Sequence, residues 1–431
     1  MCIRDRERAV RTANGKEKQL LTQGSEHVDR CFIGTIHAFC ARILRERPIE
    51  AEVDLAFREL EPSEDLQMRQ DAWSEYVADL FEKRSPLLEE LPPLGLEIGQ
   101  LREAFTQFAD FPDVDNWPAE KVTFDLSDIQ HSIGQVQNYI QHMRELTPFP
   151  EERGTDKLMD TFERLIRLER LRDLDQIPEF MDLVNQFKPT TRCTQKYWPN
   201  GQGRQERDRW KEFCDQVAGP LQTRWREMRY ATVMHILKQA IATYDRVRSD
   251  NAVLNYQDLL MKTAALLRNN PSIRQYFRRR ITHLLVDEFQ DTDPVQAEIM
   301  MYLTAGDYSE QDWRKCRPVP GSLFVVGDPK QSIYRFRRAD IVTYNKVKEI
   351  ICDSGGVTVP LTTNFRTVSP LVDWINSVFK STFPVEADTY SPAGVSMQTG
   401  RQQTHEGTLG GIQTLDIPKK IKPKELSLIH I

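Results

Sequence analysis

The sequence has no long hydrophobic run, and no apolar stretch approaches the length needed to cross a bilayer. Its first ten residues, MCIRDRERAV, lack the apolar centre of a signal peptide, which predicts a cytoplasmic protein without a membrane partner. The 7 cysteines include no Cys-x-x-Cys pair, which argues against zinc and iron–sulfur clusters and for reduced thiols. The composition, with 39% hydrophobic and 28% charged residues, is that of an ordinary globular protein.

The chain also lacks an excess of positive charge, because its formal net charge is −6. Such a balance does not by itself indicate a nucleic-acid partner, but phosphate contacts depend on local clusters of Lys and Arg. One cluster lies between Lys188 and Trp210, where arginines alternate with Tyr197, Trp198 and Trp210. Two interpretations are open: a nucleic-acid surface, or a solvated loop that its aromatic side chains anchor.

Residues 284–292, LLVDEFQDT, contain the pattern around which the chain is organised. A short apolar run with β-branched Val286 ends in Asp287 and Glu288, which predicts a buried parallel strand with two carboxylates at its C-terminal end. Ligands of open α/β sheets bind at that edge. A carboxylate beside a nucleotide phosphate is costly to desolvate without a cation, and the usual cation is Mg²⁺. The alternative is that the acidic pair begins a surface loop.

Residues 323–340, LFVVGDPKQSIYRFRRAD, have the same arrangement of an apolar strand, a Gly-Asp turn and polar residues at the strand exit. A third block, Asn364-Phe365-Arg366, follows. VDEFQDT resembles the Walker B motif of superfamily 1 helicases of the UvrD and Rep type, and the other two blocks resemble motifs III and IV. Within that group the chain is most similar to the RecB and AddA helicase–nuclease subunits.

The resemblance implies an α/β fold, with an incomplete RecA-like parallel-sheet P-loop NTPase core and a large, mainly helical insertion. Residues 1–47 would begin subdomain 1A, and residues 251–358 would complete it. Residues 48–250 would form the helical subdomain 1B, whose length favours RecB or AddA over the compact UvrD and Rep forms. Residues 359–431 would start subdomain 2A.

The resemblance also implies a site for ATP and Mg²⁺. Asp287 would hold the Mg²⁺, and Glu288 would position the attacking water. Gln331 would sense the γ-phosphate, and Arg366 would hold that phosphate with a bidentate guanidinium group. Phe365, where many relatives have Tyr, would stack on the adenine. Phosphoryl transfer needs little beyond such positioning and charge neutralisation.

Motif III also implies contacts with DNA. Tyr334 and Phe336 alternate with Arg335 and Arg337, so the two rings would stack on bases while the guanidinium groups hold phosphates. The alternative for the two rings is a place in the hydrophobic core.

The N-terminal region carries a further element of the family. Residues 31–33 are predicted to form a short strand, followed by a helix that Thr35 can cap. In the resembling helicases a Thr-x-His element at this place contacts single-stranded DNA, so Thr35 and His37 are contact candidates. The alternative for His37 is an ordinary interior histidine at a helix start.

The phosphate-binding motif of the family is missing from the sequence. No G-x-x-x-x-G-K-[ST] pattern occurs, because the Gly15-Lys16 pair is followed by Glu17 and has no earlier glycine at the required spacing. The later helicase motifs and a RecB-type nuclease domain are also absent, so we expect no ATP hydrolysis by this chain alone. The terminal hexamers, residues 1–6 and 426–431, look foreign to the family, and our hypothesis is that they are non-native sequence on a truncated frame.

The predicted function is therefore that of a fragment of an ATP-dependent single-strand DNA translocase or helicase of the RecB and AddA type. Its parent would act in double-strand-break repair and recombination, on single-stranded and duplex-end DNA. It would have a partner subunit in a helicase–nuclease complex. The alternative is a non-enzymatic DNA-binding or scaffolding subunit that has lost its ATPase.

Overall fold

The computed structural model describes most of the chain: residues 3–26, 31–114, 126–146, 156–189, 192–198 and 201–401. The hexamer at 426–431 and the side chains of residues 1–6 lie outside this part, so the hypothesis about the two ends stays untested. The chain forms two compact units. The first unit comprises Met1–Ala51 and Leu260–Ile431, and the second comprises Glu52–Leu259.

Helices make up most of the described residues. Their bounds in chain order are α1 Ile3–Thr12, α2 Gly15–Glu26, α3 Ile36–Glu46, α4 Pro62–Glu82, α5 Leu87–Glu90, α6 Leu101–Phe108, α7 Leu126–Leu146, α8 Lys157–Leu171, α9 Ile177–Val184, α10 Gly203–Phe213, α11 Gly219–Asp250, α12 Tyr256–Asn269, α13 Pro271–Arg280, α14 Pro294–Thr304, α15 Ile341–Asp353 and α16 Ser369–Phe379. Within the described ranges, no helix combines the length and the apolar character that a membrane crossing requires.

The strands are short and pair in parallel. Their pairs are β1 Arg58–Glu59 with β2 Val253–Leu254, β3 Leu284–Val286 with β4 Leu323–Val325, and β5 Thr363–Val368 with β6 Gln398–Arg401. The described chain is therefore mostly helical with short parallel strands. Strands β3 and β4, which precede the acidic pair and the Gly-Asp turn, are parallel, so the predicted direction is confirmed. The RecA-like core stays a prediction.

Among the described residues of the second unit, two hydrophobic clusters form the core. In the first cluster, helices α4, α6 and α11 pack together, and the rings of Phe105 and Tyr244 meet edge to face at 6.3 Å. In the second cluster, helices α7 to α10 surround Trp210, which is 0% exposed and stacks on Phe187 at 5.3 Å between ring centroids. A mainly helical body results, in agreement with the helical character that the resemblance implies for residues 48–250.

The aromatic side chains of residues 188–210 lie in that second cluster. Trp198 and Trp210 are buried, and their indole N–H groups donate to Asp156 Oδ2 at 3.2 Å and to the backbone oxygen of Lys188 at 3.1 Å. Buried indoles cannot stack on bases, so the two tryptophans are not part of a nucleic-acid surface. The aromatic residues anchor the segment instead, and its last part is helix α10 rather than a loop.

Helix α14 of the first unit has a capped start. Asp293 caps it by accepting a hydrogen bond from the backbone N–H of Gln296 at 2.7 Å, and Pro294 occupies its first turn, where no N–H is needed. The helix is buried on nearly every side and contacts both α13 and α15. It therefore forms part of the core of the first unit.

Two local predictions for the first unit are wrong. Residues 31–33 form no strand; Phe32 packs its ring on Phe39 at 5.2 Å, and Ile33 is left 81% exposed. Strand β3 is not buried, because Leu285 and its partner in register, Phe324, are 72% and 61% exposed. An apolar run indicates burial on both faces, but among the described residues one face of this strand pair carries no cover.

A buried arginine holds the connection from α14 to β4. Arg274 on α13 is 0% exposed, and its guanidinium lies 4.5 Å from the ring centre of Tyr302. It donates to the backbone oxygens of Asp307 at 2.9 Å, Tyr308 at 3.0 Å and Glu310 at 2.6 Å. These carbonyl groups belong to the segment that leads the chain into β4, so Arg274 fixes the path by which that strand is reached.

Replacing Arg274 by Met should destabilise the first unit, because three backbone carbonyl groups would lose a charged donor. We expect the free energy of unfolding, measured by urea denaturation, to fall by roughly 3–5 kcal/mol, because a hydrogen bond to a charged group contributes about 1.5–3 kcal/mol and bonds made by one side chain are not additive. Arg279→Met on the exposed side of the same helix is the control and should change it by less than about 0.5 kcal/mol. Equal losses in the two variants would contradict this assignment.

Candidate functional site

The candidate site lies where β3 and β4 end side by side. The hydrogen bonds between the two strands continue beyond their last residues. The backbone N–H of Val326 donates to the oxygen of Val286 at 2.8 Å, and the N–H of Phe289 donates to the oxygen of Val326 at 2.9 Å. The segment that follows the acidic pair is therefore held directly against the segment that follows β4.

Glu288 takes a left-handed backbone conformation at this point, with φ +51° and ψ +40°. A residue with a Cβ pays about 1–2 kcal/mol for it, so the surrounding contacts must hold it in place. Asp287 Oδ1 accepts a hydrogen bond from the backbone N–H of Glu288 at 2.9 Å. Phe289 is buried and packs on Tyr344 at 5.6 Å between ring centroids, while both acidic residues are exposed. The turn is therefore anchored in the core through Phe289, while its two carboxylates face solvent.

Gln290 joins the two strand ends. It is 3% exposed, and its Nε2 donates to Glu288 Oε2 at 2.6 Å while its Oε1 accepts from the backbone N–H of Asp328 at 3.0 Å. The hydroxyl of Ser332 donates to the backbone oxygen of Gln290 at 3.2 Å. A Cβ on Gly327 would lie 2.9 Å from Gln290 Oε1, so this close approach requires glycine. Sequence reasoning missed Gln290, although a glutamine two residues past Glu288 and a glycine after β4 were visible signals.

Asp328 orients the residues that follow it. Its Oδ1 accepts a hydrogen bond from the backbone N–H of Lys330 at 3.0 Å, and its Oδ2 accepts from Gln331 Nε2 at 3.1 Å. Because Gln290 binds the backbone N–H of the same aspartate, a continuous series of hydrogen bonds runs from Glu288 to Gln331. The structure thus brings together three predicted site residues, Asp287, Glu288 and Gln331.

The side chains predicted to contact DNA, from Tyr334 to Arg337, come shortly after Gln331 in the chain. The rings of Tyr334 and Phe336 lie 5.8 Å apart and are tilted by 57°. Tyr334 is half-buried, but Phe336 is 77% exposed, so a place in the core is excluded for Phe336. Arg335 is exposed, and the side chain of Arg337 lies outside the described residues.

The remaining predicted site residues lie on other elements of the first unit. Thr35 caps α3 as expected, since its Oγ1 accepts from the N–H of Ala38 at 3.3 Å; His37 is half-buried in the first turn of that helix. Phe365 and Arg366 lie on β5, both exposed, and the ring of Phe365 packs so close to Gly400 that a Cβ there would lie 2.5 Å from it.

Negative charge is concentrated on the turn after β3. Asp291 completes an acidic trio with Asp287 and Glu288, and its Oδ1 is buried with no hydrogen-bond partner among the described residues. Loss of hydration and the nearby charge of Glu288 raise the pKa of the Asp291 carboxyl above its ordinary value. A cation at this turn would relieve that repulsion.

Residues 6–351 match a family described as the UvrD/REP helicase N-terminal domain. The chain is 24% identical over 404 residues to an ATP-dependent helicase/nuclease subunit of Listeria monocytogenes serotype 4b (strain F2365), covering 80% of this chain and 31% of that protein. It is 25% identical over 431 residues to the protein of the same name from Bacillus pumilus (strain SAFR-032), covering 86% and 34%. It is 38% identical over 147 residues to ATP-dependent DNA helicase UvrD1 of Mycobacterium bovis (strain ATCC BAA-935 / AF2122/97), covering 33% and 18%. The chain spans about a third of the length of the helicase/nuclease relatives that it matches.

Such a family implies ATP and a divalent metal ion, and the acidic turn fits Mg²⁺. Asp287 presents an exposed carboxylate, and Asp291 has a buried oxygen without a hydrogen bond in the described chain. No set of three or more His, Cys, Asp or Glu side chains within the described ranges is placed to hold a metal ion alone. Mg²⁺ is commonly bound through one or two carboxylates together with substrate phosphates, so a site with few protein ligands is sufficient.

Replacing Asp291 by Asn should stabilise the chain at neutral pH in the absence of divalent cations. Because the folded-state pKa of this carboxyl is raised, the unfolded chain loses the proton first, and unfolding becomes more favourable as pH rises between the two pKa values. We expect Asp291→Asn to raise Tm at pH 7 and to leave Tm unchanged at a pH below both pKa values. The same change in Tm at both pH values would show that the carboxyl charge is not the cause.

Proposed function

The chain belongs to the UvrD/REP helicase family, and on that premise we propose that it is part of an ATP-dependent single-strand DNA translocase or helicase of the RecB and AddA type. The observation that carries the proposal is the series of hydrogen bonds from Glu288 to Gln331, a residue that lies in the same short segment as the exposed ring of Phe336. Relatives that are named helicase/nuclease subunits support a multi-subunit assembly. We propose that this assembly acts on single-stranded and duplex-end DNA in double-strand-break repair and recombination.

The nucleotide would bind at the carboxyl ends of β3 and β4. Asp287 would hold Mg²⁺, which neutralises phosphate charge when it is bound. Glu288 would orient the attacking water and accept its proton, and Gln331 would contact the γ-phosphate. Arg366 would contact the same phosphate and Phe365 the adenine, both from β5.

The DNA strand would bind beside the nucleotide. Tyr334 and Phe336 would stack on bases, which is worth about 1–3 kcal/mol per base and does not depend on sequence. Arg335 and Arg337 would hold phosphates, and the helix start that contains Thr35 and His37 would add a further contact. Gln331 and the two rings belong to one short segment, so a movement of the γ-phosphate contact would also move the base contacts.

In this proposal the chain is an internal part of a longer, cytoplasmic helicase subunit. Residues 1–47 and 251–358 would belong to subdomain 1A, residues 48–250 would form subdomain 1B, and residues 359–431 would start subdomain 2A. The RecA-like core and the phosphate-binding loop would be completed by other parts of the longer subunit, which the length of the relatives supports.

The absence of a G-x-x-x-x-G-K-[ST] pattern favours a second candidate function. A chain that lacks the phosphate-binding loop could serve as a DNA-binding or scaffolding subunit that hydrolyses no ATP. The two candidates differ in one measurable property, which is DNA-stimulated ATP hydrolysis by the longer subunit.

Replacing Glu288 by Gln in that longer subunit should leave nucleotide binding nearly intact and should lower kcat for DNA-stimulated hydrolysis. A positioned general base contributes about 10²–10⁴-fold, so we expect a loss of that size, measured by phosphate release beside fluorescent-nucleotide binding. Glu349→Gln on the surface of α15 is the control and should change neither quantity. Equal losses of binding and turnover would point to a structural role for Glu288. An inactive unsubstituted subunit would support the second candidate.

Replacing both Tyr334 and Phe336 by Ala should weaken single-strand DNA binding by roughly 2–6 kcal/mol, taking about 1–3 kcal/mol for each lost stack. The loss should be similar for strands of any base composition, and the dependence of affinity on salt should not change, because that dependence counts phosphate contacts. Arg335→Ala should instead reduce the salt dependence. Fluorescence anisotropy at several salt concentrations measures both effects. A double variant that also loses nucleotide binding or unfolds would show that the rings are structural.

A further inference from the structure

We propose that Gln290 is a positioning residue that holds the carboxylate of Glu288 and couples it to the turn carrying Gln331. The inference rests on the proposed function, because it assigns a role within the same site. Gln290 lies in neither set of predicted catalytic or DNA-contact residues. Its role follows from its burial and from the partners at both ends of its side-chain amide.

The orientation of the Gln290 amide is determined by its partners. The carboxylate of Glu288 can only accept a hydrogen bond, and the backbone N–H of Asp328 can only donate one. Nε2 must therefore face Glu288, at 2.6 Å, and Oε1 must face Asp328, at 3.0 Å. Since Gln290 is 3% exposed, water cannot readily replace either partner. Of the side chains of this length, glutamine is the one that supplies a neutral donor and an acceptor together.

This arrangement restricts a carboxylate that would otherwise be free. Glu288 is exposed, so packing does little to limit the rotation of its side chain. A group that orients water must be held within about 0.5 Å of its working position, and a neighbouring hydrogen bond is the usual means. The bond from Gln290 Nε2 supplies that restraint from the buried side and leaves the other carboxylate oxygen available to a water.

The second end of Gln290 links this carboxylate to the neighbouring strand exit. Asp328, whose N–H Gln290 binds, also accepts a hydrogen bond from Gln331 Nε2 at 3.1 Å. The space between the two segments is filled, because a Cβ on Gly327 would meet Gln290 Oε1 at 2.9 Å. A displacement of the turn at Asp328 must therefore move Gln290, and through it the carboxylate of Glu288.

Two substitutions of Gln290 distinguish the contributions of its two hydrogen bonds. Gln290→Met has a similar length and makes neither hydrogen bond. Gln290→Glu can still accept from the N–H of Asp328 but cannot donate to Glu288 and places a second carboxylate against it. Gln257→Met is the matched control, because the buried Nε2 of Gln257 has no hydrogen-bond partner in the part of the chain that the structure describes.

In the longer subunit, both Gln290 variants should lower kcat for DNA-stimulated ATP hydrolysis by about 10–100-fold, the loss typical of a residue that orients a catalytic group. KM for ATP should change by less than about threefold, since the nucleotide contacts remain, and the control should match the unsubstituted protein. Hydrogen exchange in the chain alone gives the second readout: the amide of Asp328 should exchange faster in Gln290→Met and remain protected in Gln290→Glu.

A merely structural role predicts a different pattern. If Gln290→Glu retained both the protected amide and full kcat, the bond to Glu288 would be irrelevant and the inference would be overturned. It would also be overturned if the amide of Asp328 exchanged at the same rate in Gln290→Met as in the unsubstituted chain. An unsubstituted subunit without ATP hydrolysis would overturn the proposed function itself, and with it any catalytic meaning of the link.

Discussion

The parallel hydrogen bonding between β3 and β4 is the constraint on which the candidate site depends. The ladder continues past both strands to the bond between Phe289 N–H and the oxygen of Val326, and this bond sets how closely the two exits approach. The two chain segments that follow β3 and β4 are so close that only glycine fits at residue 327. The side-chain amide of Gln290 lies between these two segments. Without the ladder, the carboxylate of Glu288 and the amide of Gln331 would lie on independent turns.

The residues that follow the acidic pair are buried, whereas the acidic pair itself is exposed, and the two properties have separate physical consequences. Phe289, Gln290 and helix α14 are buried, so the backbone below the acidic pair is rigid enough to hold Glu288 at positive φ. Asp287, Glu288 and Gln331 are exposed, so charged ligands can reach them. The raised pKa of Asp291 reflects the same arrangement, because partial burial next to another carboxylate disfavours its charge. A divalent cation bound together with a nucleotide phosphate would reduce the repulsion between these carboxylates and so would stabilise the turn.

Local patterns in the sequence predicted the features that neighbouring residues determine. Thr35 predicted the start of α3, and the apolar runs before the acidic pair and the Gly-Asp turn predicted β3 and β4, because caps and strand ends are local. Contacts between distant residues were not predictable in this way. Gln290 meets Asp328 across 38 positions, and the burial of Trp198 and Trp210 depends on which helix face packs inward. The exposure of Leu285 likewise depends on what covers the sheet, which an apolar run does not reveal.

The most direct test of the account is a crystal structure of the longer subunit with a non-hydrolysable ATP analogue, Mg²⁺ and an oligothymidylate. The account predicts that Asp287 contacts the Mg²⁺ directly or through water, that Gln331 lies within hydrogen-bond distance of the γ-phosphate, and that bases lie against Tyr334 or Phe336. It also predicts that Gln290 still joins Glu288 to Asp328. A nucleotide bound away from the ends of β3 and β4, with the acidic turn facing only solvent, would contradict the account.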